Sequence, residues 1–263
     1  MNSVVNENGD LNLNVIYNGD CLDLMKNIPE KSIDMILCDL PYGATKNAWD
    51  SVIDLDEMWN QYLRIIKDNG CIALTASQPF ASLLVTSNLK YFRYDWIWKK
   101  NKSTGFLNAK KMPLRNHESI LIFYKNLPTY NPQKTQGHSP VNSYCKNTSD
   151  GTNYGKTKLG ISGGGQTDRY PLSIQEFSVV NNDNSHGNKS HPTQKPVELF
   201  EYLIRTYTNA GDIVLDNCCG SGTTGIAAIN SGRNYILIEK NIEYFNMADN
   251  RLRSYTHNSQ IWT

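Results

Sequence analysis

The sequence predicts an α/β chain with a doubly wound, mostly parallel sheet, and two observations lead there. Short apolar runs bounded by polar residues alternate with stretches whose apolar residues recur every three or four positions, the pattern of strands alternating with helices. One such run, Ile33–Cys38, stops at Asp39-Leu40-Pro41-Tyr42, and another leads into the glycine-rich turn Gly220-Ser221-Gly222-Thr223-Thr224-Gly225. Both place polar residues at the carboxyl end of a strand, where open α/β sheets hold their ligands.

Residues 1–13 read as a loose arm. Residues 14–17 form a short strand, and Asp20 is placed to cap a helix that runs to about Asn27 through Leu22, Met25 and Ile28. The strand Ile33–Cys38 must end at Pro41, which lacks an N–H and fixes its own φ. A helix over 55–66, closed by Asn69-Gly70, precedes a strand at 71–75, and Pro79 opens a helix to about Thr86. Strands follow at 94–98 and 120–124, joined by a loop, 99–117, that carries Lys99, Lys100, Lys102, Lys110, Lys111 and Arg115. Periodicity is lost from 126 to 190, a polar, basic segment with interleaved tyrosines, too long for an ordinary connection. Pro196 then starts a helix to about Thr208. A strand at 212–217, the glycine turn and its helix, a strand at 234–238 and a last helix capped by Asn241 complete seven strands. The expected organisation is therefore 1–125, an insertion at 126–190, and 191–263.

Composition narrows the class. The net charge is only +1, but residues 99–158 hold eleven Lys or Arg against Glu118 and Asp150, while residues 1–70 hold twelve acids against five bases. A basic segment on a neutral chain is the footprint of a polyanion. No apolar run reaches membrane-spanning length and the amino terminus has no leader pattern, so no membrane partner and a cytoplasmic location are expected. Cys21, Cys38, Cys71, Cys145, Cys218 and Cys219 include no CxxC pair and read as reduced thiols with no metal site.

The two strand ends suggest complementary chemistry. A nucleobase amine is a poor nucleophile because its lone pair is delocalised into the ring. Asp39 and the main-chain carbonyl of Leu40 or Pro41 can each accept one of its N–H bonds, localising that pair, while the ring of Tyr42 stacks on the base. The glycine turn has the form G-x-G-x-x-G, and Glu239 follows Gly220 by nineteen positions at the end of the next strand. That spacing suits an acid reaching a ribose hydroxyl, so an adenosine-containing cofactor is expected, either a nicotinamide dinucleotide or S-adenosylmethionine.

Taken together, Asp39-Leu40-Pro41-Tyr42, the segment 191–196 and Asp216 through Thr224 resemble the motifs of the DNA amino-methyltransferases of the permuted (beta) order, over about residues 15–252. The resemblance implies a seven-stranded, Rossmann-like methyltransferase fold with 126–190 as the target-recognition region, S-adenosylmethionine as cofactor and double-stranded DNA as substrate. It implies that Asp39, Leu40, Pro41 and Tyr42 hold the target base. It assigns Asp216, Gly220, Gly222 and Thr223 to the methionine side of the cofactor, Glu239 to the ribose, Asp20 to the adenine and Lys195 to the methionine carboxylate. Cys21, Cys218, Ser221 and Asp39 fall in the same matched segments and are counted with the cofactor pocket. Lys99, Lys100, Lys102, Lys110, Lys111 and Arg115 would meet DNA. Cys218 departs from the family pattern, where phenylalanine is usual. The expected reaction is methyl transfer to adenine N6, with cytosine N4 as the alternative base. The other readings are a nicotinamide-dependent oxidoreductase and a silent nucleic-acid-binding module. A homodimer and an accompanying restriction nuclease stay open as partners.

Overall fold

In the computed structural model, which describes residues 3–42, 53–146, 160–180 and 194–260, apolar runs that bury both faces become the strands of one large sheet. The first part of the chain gives β1 (Val15–Asn18), α1 (Cys21–Met25), β2 (Ile33–Cys38), α2 (Leu55–Ile65), β3 (Ile66–Ala76), α3 (Phe80–Ser87), β4 (Phe92–Thr104) and β5 (Arg115–Phe123). After β6 (Tyr144–Lys146) and β7 (Ile161–Gly163), the chain adds β8 (Ile174–Phe177), α4 (Val197–Tyr207), β9 (Ile213–Asp216), α5 (Thr223–Ser231), β10 (Asn234–Glu239) and α6 (Ile242–Gln260). The large sheet runs in the order β1-β10-β9-β2-β3-β5-β4-β8. Only β5 pairs antiparallel to its neighbours. The expected α/β class and mostly parallel sheet are present, with an eighth strand added at one edge.

Alternation along each strand sorts the core onto two faces. Ile36 and Cys38 of β2, Ile72 and Leu74 of β3, and Ile236 and Ile238 of β10 pack with α1, α2 and α3. Their neighbours Met35, Leu37, Ala73 and Leu237 pack on the other side with α4, α5 and α6. The helices earn these places by their stripes: α2 buries Met58, Trp59, Tyr62 and Ile65, and α4 buries Leu199, Phe200, Leu203, Ile204 and Tyr207. Two buried indoles find hydrogen-bond partners. Trp96 Nε1 donates to Tyr207 Oη at 2.6 Å and Trp59 Nε1 to Ser87 Oγ at 2.8 Å.

By contacts the chain forms two compact units, Met1–Asn131 with Ser173–Thr263, and Pro132–Leu172. The second lies inside the segment 126–190 and contains the antiparallel pair of β6 and β7. No helix among the described residues is long and apolar enough to cross a membrane.

Four local expectations are corrected. The amino-terminal arm is not loose throughout, because Val4 is buried and Val5 bridges to Leu11. Asn69-Gly70 does not close a helix. β3 begins at Ile66, directly after α2, and takes up the extra residues as a register shift against β2 between Ile33 and Met35. The loop 99–117 shrinks to a short connection with a 3-10 turn at Phe106–Asn108, since the ladder between β4 and β5 continues to the pair Thr104 and Arg115. Ile174–Phe177 lies beside β4 as the eighth strand. It alternates over only four residues and is half-exposed, which leaves little apolar signal in the sequence.

Arg64 ties two helices on one face. From the last turn of α2 its guanidinium donates to Met25 O, at the carboxyl end of α1, and to Ile28 O just beyond it, both at 2.7 Å. Arg64→Ala is expected to lower the unfolding free energy by about 2 kcal/mol. Urea unfolding checks this, and an unchanged midpoint would contradict it.

Candidate active site

Two clusters of side chains gather along the carboxyl edge of the sheet. At the first, β2 ends at Cys38 beside Leu74 of β3, which brings Asp39 alongside Thr75. Leu40 is buried, and Pro41 and Tyr42 are half-buried. Asp39 Oδ1 accepts from Tyr42 Oη at 2.8 Å and from Thr75 Oγ1. The Tyr42 ring stacks on Phe80 at 5.3 Å between centroids. Burial raises the Tyr42 phenol well above its usual pKa, and the charges of Asp39 and Glu118 add to the effect.

Asp39 Oδ2 accepts from Lys195 Nζ at 2.6 Å. Lys195 precedes α4 and its side chain is only 7% exposed. Burial pulls its ammonium down, but Asp39 and Glu118 more than offset this and its pKa is raised. Glu118 enters from β5, whose next residue, Ser119, pairs with Ala76 at the end of β3. Its Oε2 lies 3.3 Å from Lys195 Nζ and its Oε1 forms an ion pair with Lys100 of β4. The result is a chain of alternating charge, Asp39, Lys195, Glu118 and Lys100.

The second cluster is built on β9, β10 and β1. Between β9 and α5, Gly222 takes φ +75° as the cap of α5, and a Cβ there would meet Ala248 Cβ at 3.2 Å. A Cβ on Gly225 would strike Leu252 at 2.7 Å, so this glycine lets α5 close on α6. Glu239, at the end of β10, accepts from Gly220 N at 2.9 Å and Asn241 N at 2.8 Å. Burial raises its pKa while those main-chain donors work against the rise. Asp216 accepts from Cys218 N at 3.1 Å and from Thr224 Oγ1, and burial pushes its pKa up to about 7. Ser221 O accepts from Arg251 Nη1 at 2.9 Å.

Asp20 follows β1 and serves as the expected cap of α1, accepting from Leu22 N at 2.9 Å. Its other oxygen meets Lys240 Nζ at 3.0 Å. Partial burial raises its pKa, but these donors outweigh that and the net direction is down. Cys21 and Cys38 are buried, and their neighbouring thiols together with burial raise the thiol of Cys218, which occupies the place expected of a large apolar ring, well above its usual pKa.

The predicted residues thus fall into three groups. Asp39, Tyr42 and Lys195 meet directly. Asp20, Cys21, Asp216, Cys218, Gly220, Ser221, Gly222, Thr223 and Glu239 line the neighbouring turn and strand ends. The basic residues divide: Lys102, Lys110, Lys111 and Arg115 are exposed, Lys99 pairs with Glu176 at 2.9 Å, and Lys100 turns inward to Glu118. Thr75 and Glu118 were not picked out as site residues. A single signal for Glu118 existed, an acid standing almost alone in a basic stretch.

The donor set suits a cofactor with an adenosine, a carboxylate and cationic groups. The N-terminus of α5 has no side-chain cap, which leaves main-chain N–H groups for an anion. Asp20, Asp216 and Glu239 supply acceptors for hydroxyl and ammonium groups.

Comparison with known proteins gives the family. The model of the DNA methylase family with N6 and N4 members matches residues 33–250. The chain belongs to this DNA methylase family. It is 31% identical to the DNA adenine methyltransferase YhdJ of Escherichia coli, over 93% of this chain and 84% of the relative. The type II methyltransferase M.HinfI of Haemophilus influenzae is 29% identical over 92% of this chain and 68% of its own. Among solved structures, the M1.HpyAVI–SAM complex is 26% identical with a TM-score of 0.60, covering 90% of this chain and 98% of that one. The cytosine-N4-specific PvuII DNA methyltransferase shares the fold, with a TM-score of 0.63 at 18% identity over 89% of this chain and 84% of its own. Membership of this family sets aside the nicotinamide-dependent oxidoreductase.

Asp216 gives the family member a measurable pH signature. Its folded pKa, about 7, lies above the ordinary 3.8, so the fold favours the neutral form. Stability from this source is complete at acid pH and is lost as the pH rises through 7. Relative to Asp216→Asn, the wild-type protein is expected to lose about 2–4 kcal/mol between about pH 4 and pH 8. Unfolding curves of both proteins across that window check it, and a constant difference would contradict it.

Proposed function

We propose that this protein is a site-specific DNA methyltransferase that moves the methyl group of S-adenosylmethionine to N6 of an adenine flipped out of the duplex. The observation that carries the reading is Asp39 with Tyr42 at the end of β2, one strand away from the glycine turn after β9. The identity to a DNA adenine methyltransferase supports adenine as the base.

The bound cofactor supplies an electrophilic methyl on a sulfonium that is already a good leaving group, so positioning is the chief task of the protein. The turn from Asp216 to Thr223, with Asp20 and Glu239, holds that cofactor against the strand ends. Asp39 and the carbonyl of Leu40 or Pro41 accept the two N–H bonds of the amine and turn its lone pair toward the methyl group. Tyr42 offers its ring to the extruded base, offsetting part of the few kcal/mol that unstacking costs.

Lys99, Lys102, Lys110, Lys111 and Arg115 lie on β4, β5 and their connection, where exposed cations can follow phosphates. Lys100 does not share this role, because its ammonium is committed to Glu118. The insertion between residues 126 and 190 is the region we assign to reading the target sequence. Relatives with type II names support service beside a restriction nuclease, and action on chromosomal DNA fits the cytoplasm.

Asp39→Ala is the direct test. It is expected to cut methyl transfer to DNA by about 1000-fold or more while the affinity for S-adenosylmethionine stays within about threefold. Turnover near the wild-type rate would overturn the role given to Asp39.

A further inference from the structure

Asp39 has little acceptor capacity left for a substrate. Its Oδ1 already accepts from Tyr42 Oη and Thr75 Oγ1, and its Oδ2 is held by the Lys195 ammonium at 2.6 Å. A target amine that donates to this carboxylate must do so at Oδ2, beside a buried cation that already draws on the same oxygen. The cation has a second place to go. Glu118 Oε2 lies 3.3 Å from Lys195 Nζ and is buried, yet makes no hydrogen bond among the described residues. Lys100 clamps the other oxygen of Glu118, so the free one stays aimed at the lysine.

We infer that Glu118 is a positioning residue for the reaction, taking Lys195 from Asp39 as the target amine arrives. The inference rests on the methyltransferase reading above and deepens it. A movement of about half an ångström brings the ammonium within hydrogen-bond length of Glu118 Oε2. Lys195 keeps a carboxylate partner throughout, so no buried charge is stranded while the site fills. Before the amine arrives the same lysine neutralises Asp39. When the amine enters, Asp39 Oδ2 becomes free to accept its N–H. The raised pKa of Lys195 is consistent with this, since the two carboxylates keep it cationic despite its burial.

The test compares wild type, Glu118→Gln, Lys195→Met and the double variant, using S-adenosylmethionine titrations and single-turnover methylation of duplex DNA. Methylation by the wild type tests the proposed function, and the ratios among the variants test the inference. Glu118→Gln removes the second carboxylate and should leave the lysine on Asp39. Its rate is expected to fall about tenfold or more with cofactor affinity within about twofold, and to fall less than about twofold further when the change is made in the Lys195→Met background. Three results would overturn the inference: an unchanged rate, an equal loss in both backgrounds, or a parallel loss of cofactor affinity, the mark of a merely structural role. If Glu118→Gln does not fold, Lys195→Met decides, through the fluorescence of a duplex with 2-aminopurine at the target position. A gain at least equal to that of the wild type supports a displaceable lysine, and a diminished gain overturns it.

Discussion

A buried ammonium needs a counter-charge, and the bond from Lys195 to Asp39 supplies it across 156 positions of sequence. Around that bond the site takes its form. Asp39 is fixed at the end of β2, Lys195 just before α4, and Glu118 is drawn in from β5 as a second anion. Lys100 then balances Glu118, so four alternating charges close without excess. Tyr42 and Thr75 bind the oxygen of Asp39 that the lysine leaves. Removing Lys195 or Glu118 leaves an end member of the chain, Asp39 or Lys100, without its partner, so the inner pair holds the cluster together.

Chain order and spatial order differ, and the sheet reconciles them. The target corner comes early in the sequence and the glycine turn late, yet β2 and β9 are hydrogen-bonded neighbours. Their shared parallel direction puts both loops at one edge. Alongside, β10 and β1 bring Glu239 and Asp20 to the same edge, held in register by the pairing of Asn18 with Glu239. On the other side β3 and the reversed β5 bring Thr75 and Glu118. In the proposed reaction one half of this edge serves the cofactor and the other the amine, and the methyl group crosses only between adjacent strands.

Much of this was legible because the relevant signals are local. The strands of the centre are continuous apolar runs, Pro41 stops β2 by its own chemistry, and the spacing from Gly220 to Glu239 spans one turn, one helix and one strand. What escaped depends on pairing between distant segments. Glu118 reaches the site because β5 runs antiparallel to β3, and Thr75 because β2 and β3 match Cys38 with Leu74. Neither register can be read from the residues themselves. Lys100 counted as a DNA-facing cation in the sequence because a lysine in a basic stretch looks the same whether it faces solvent or a buried glutamate. Lys195 likewise gave no hint that it would lie on Asp39. The eighth strand escaped because four half-exposed residues bury too little to leave a pattern.

The claim that this edge performs methyl transfer to adenine N6 is tested most directly by the product. The protein is incubated with methyl-labelled S-adenosylmethionine and DNA of mixed sequence, the DNA is digested to nucleosides, and the labelled nucleoside is identified by mass. The account predicts label in N6-methyladenine. Label in N4-methylcytosine, or no labelled nucleoside from protein that binds the cofactor, would contradict it.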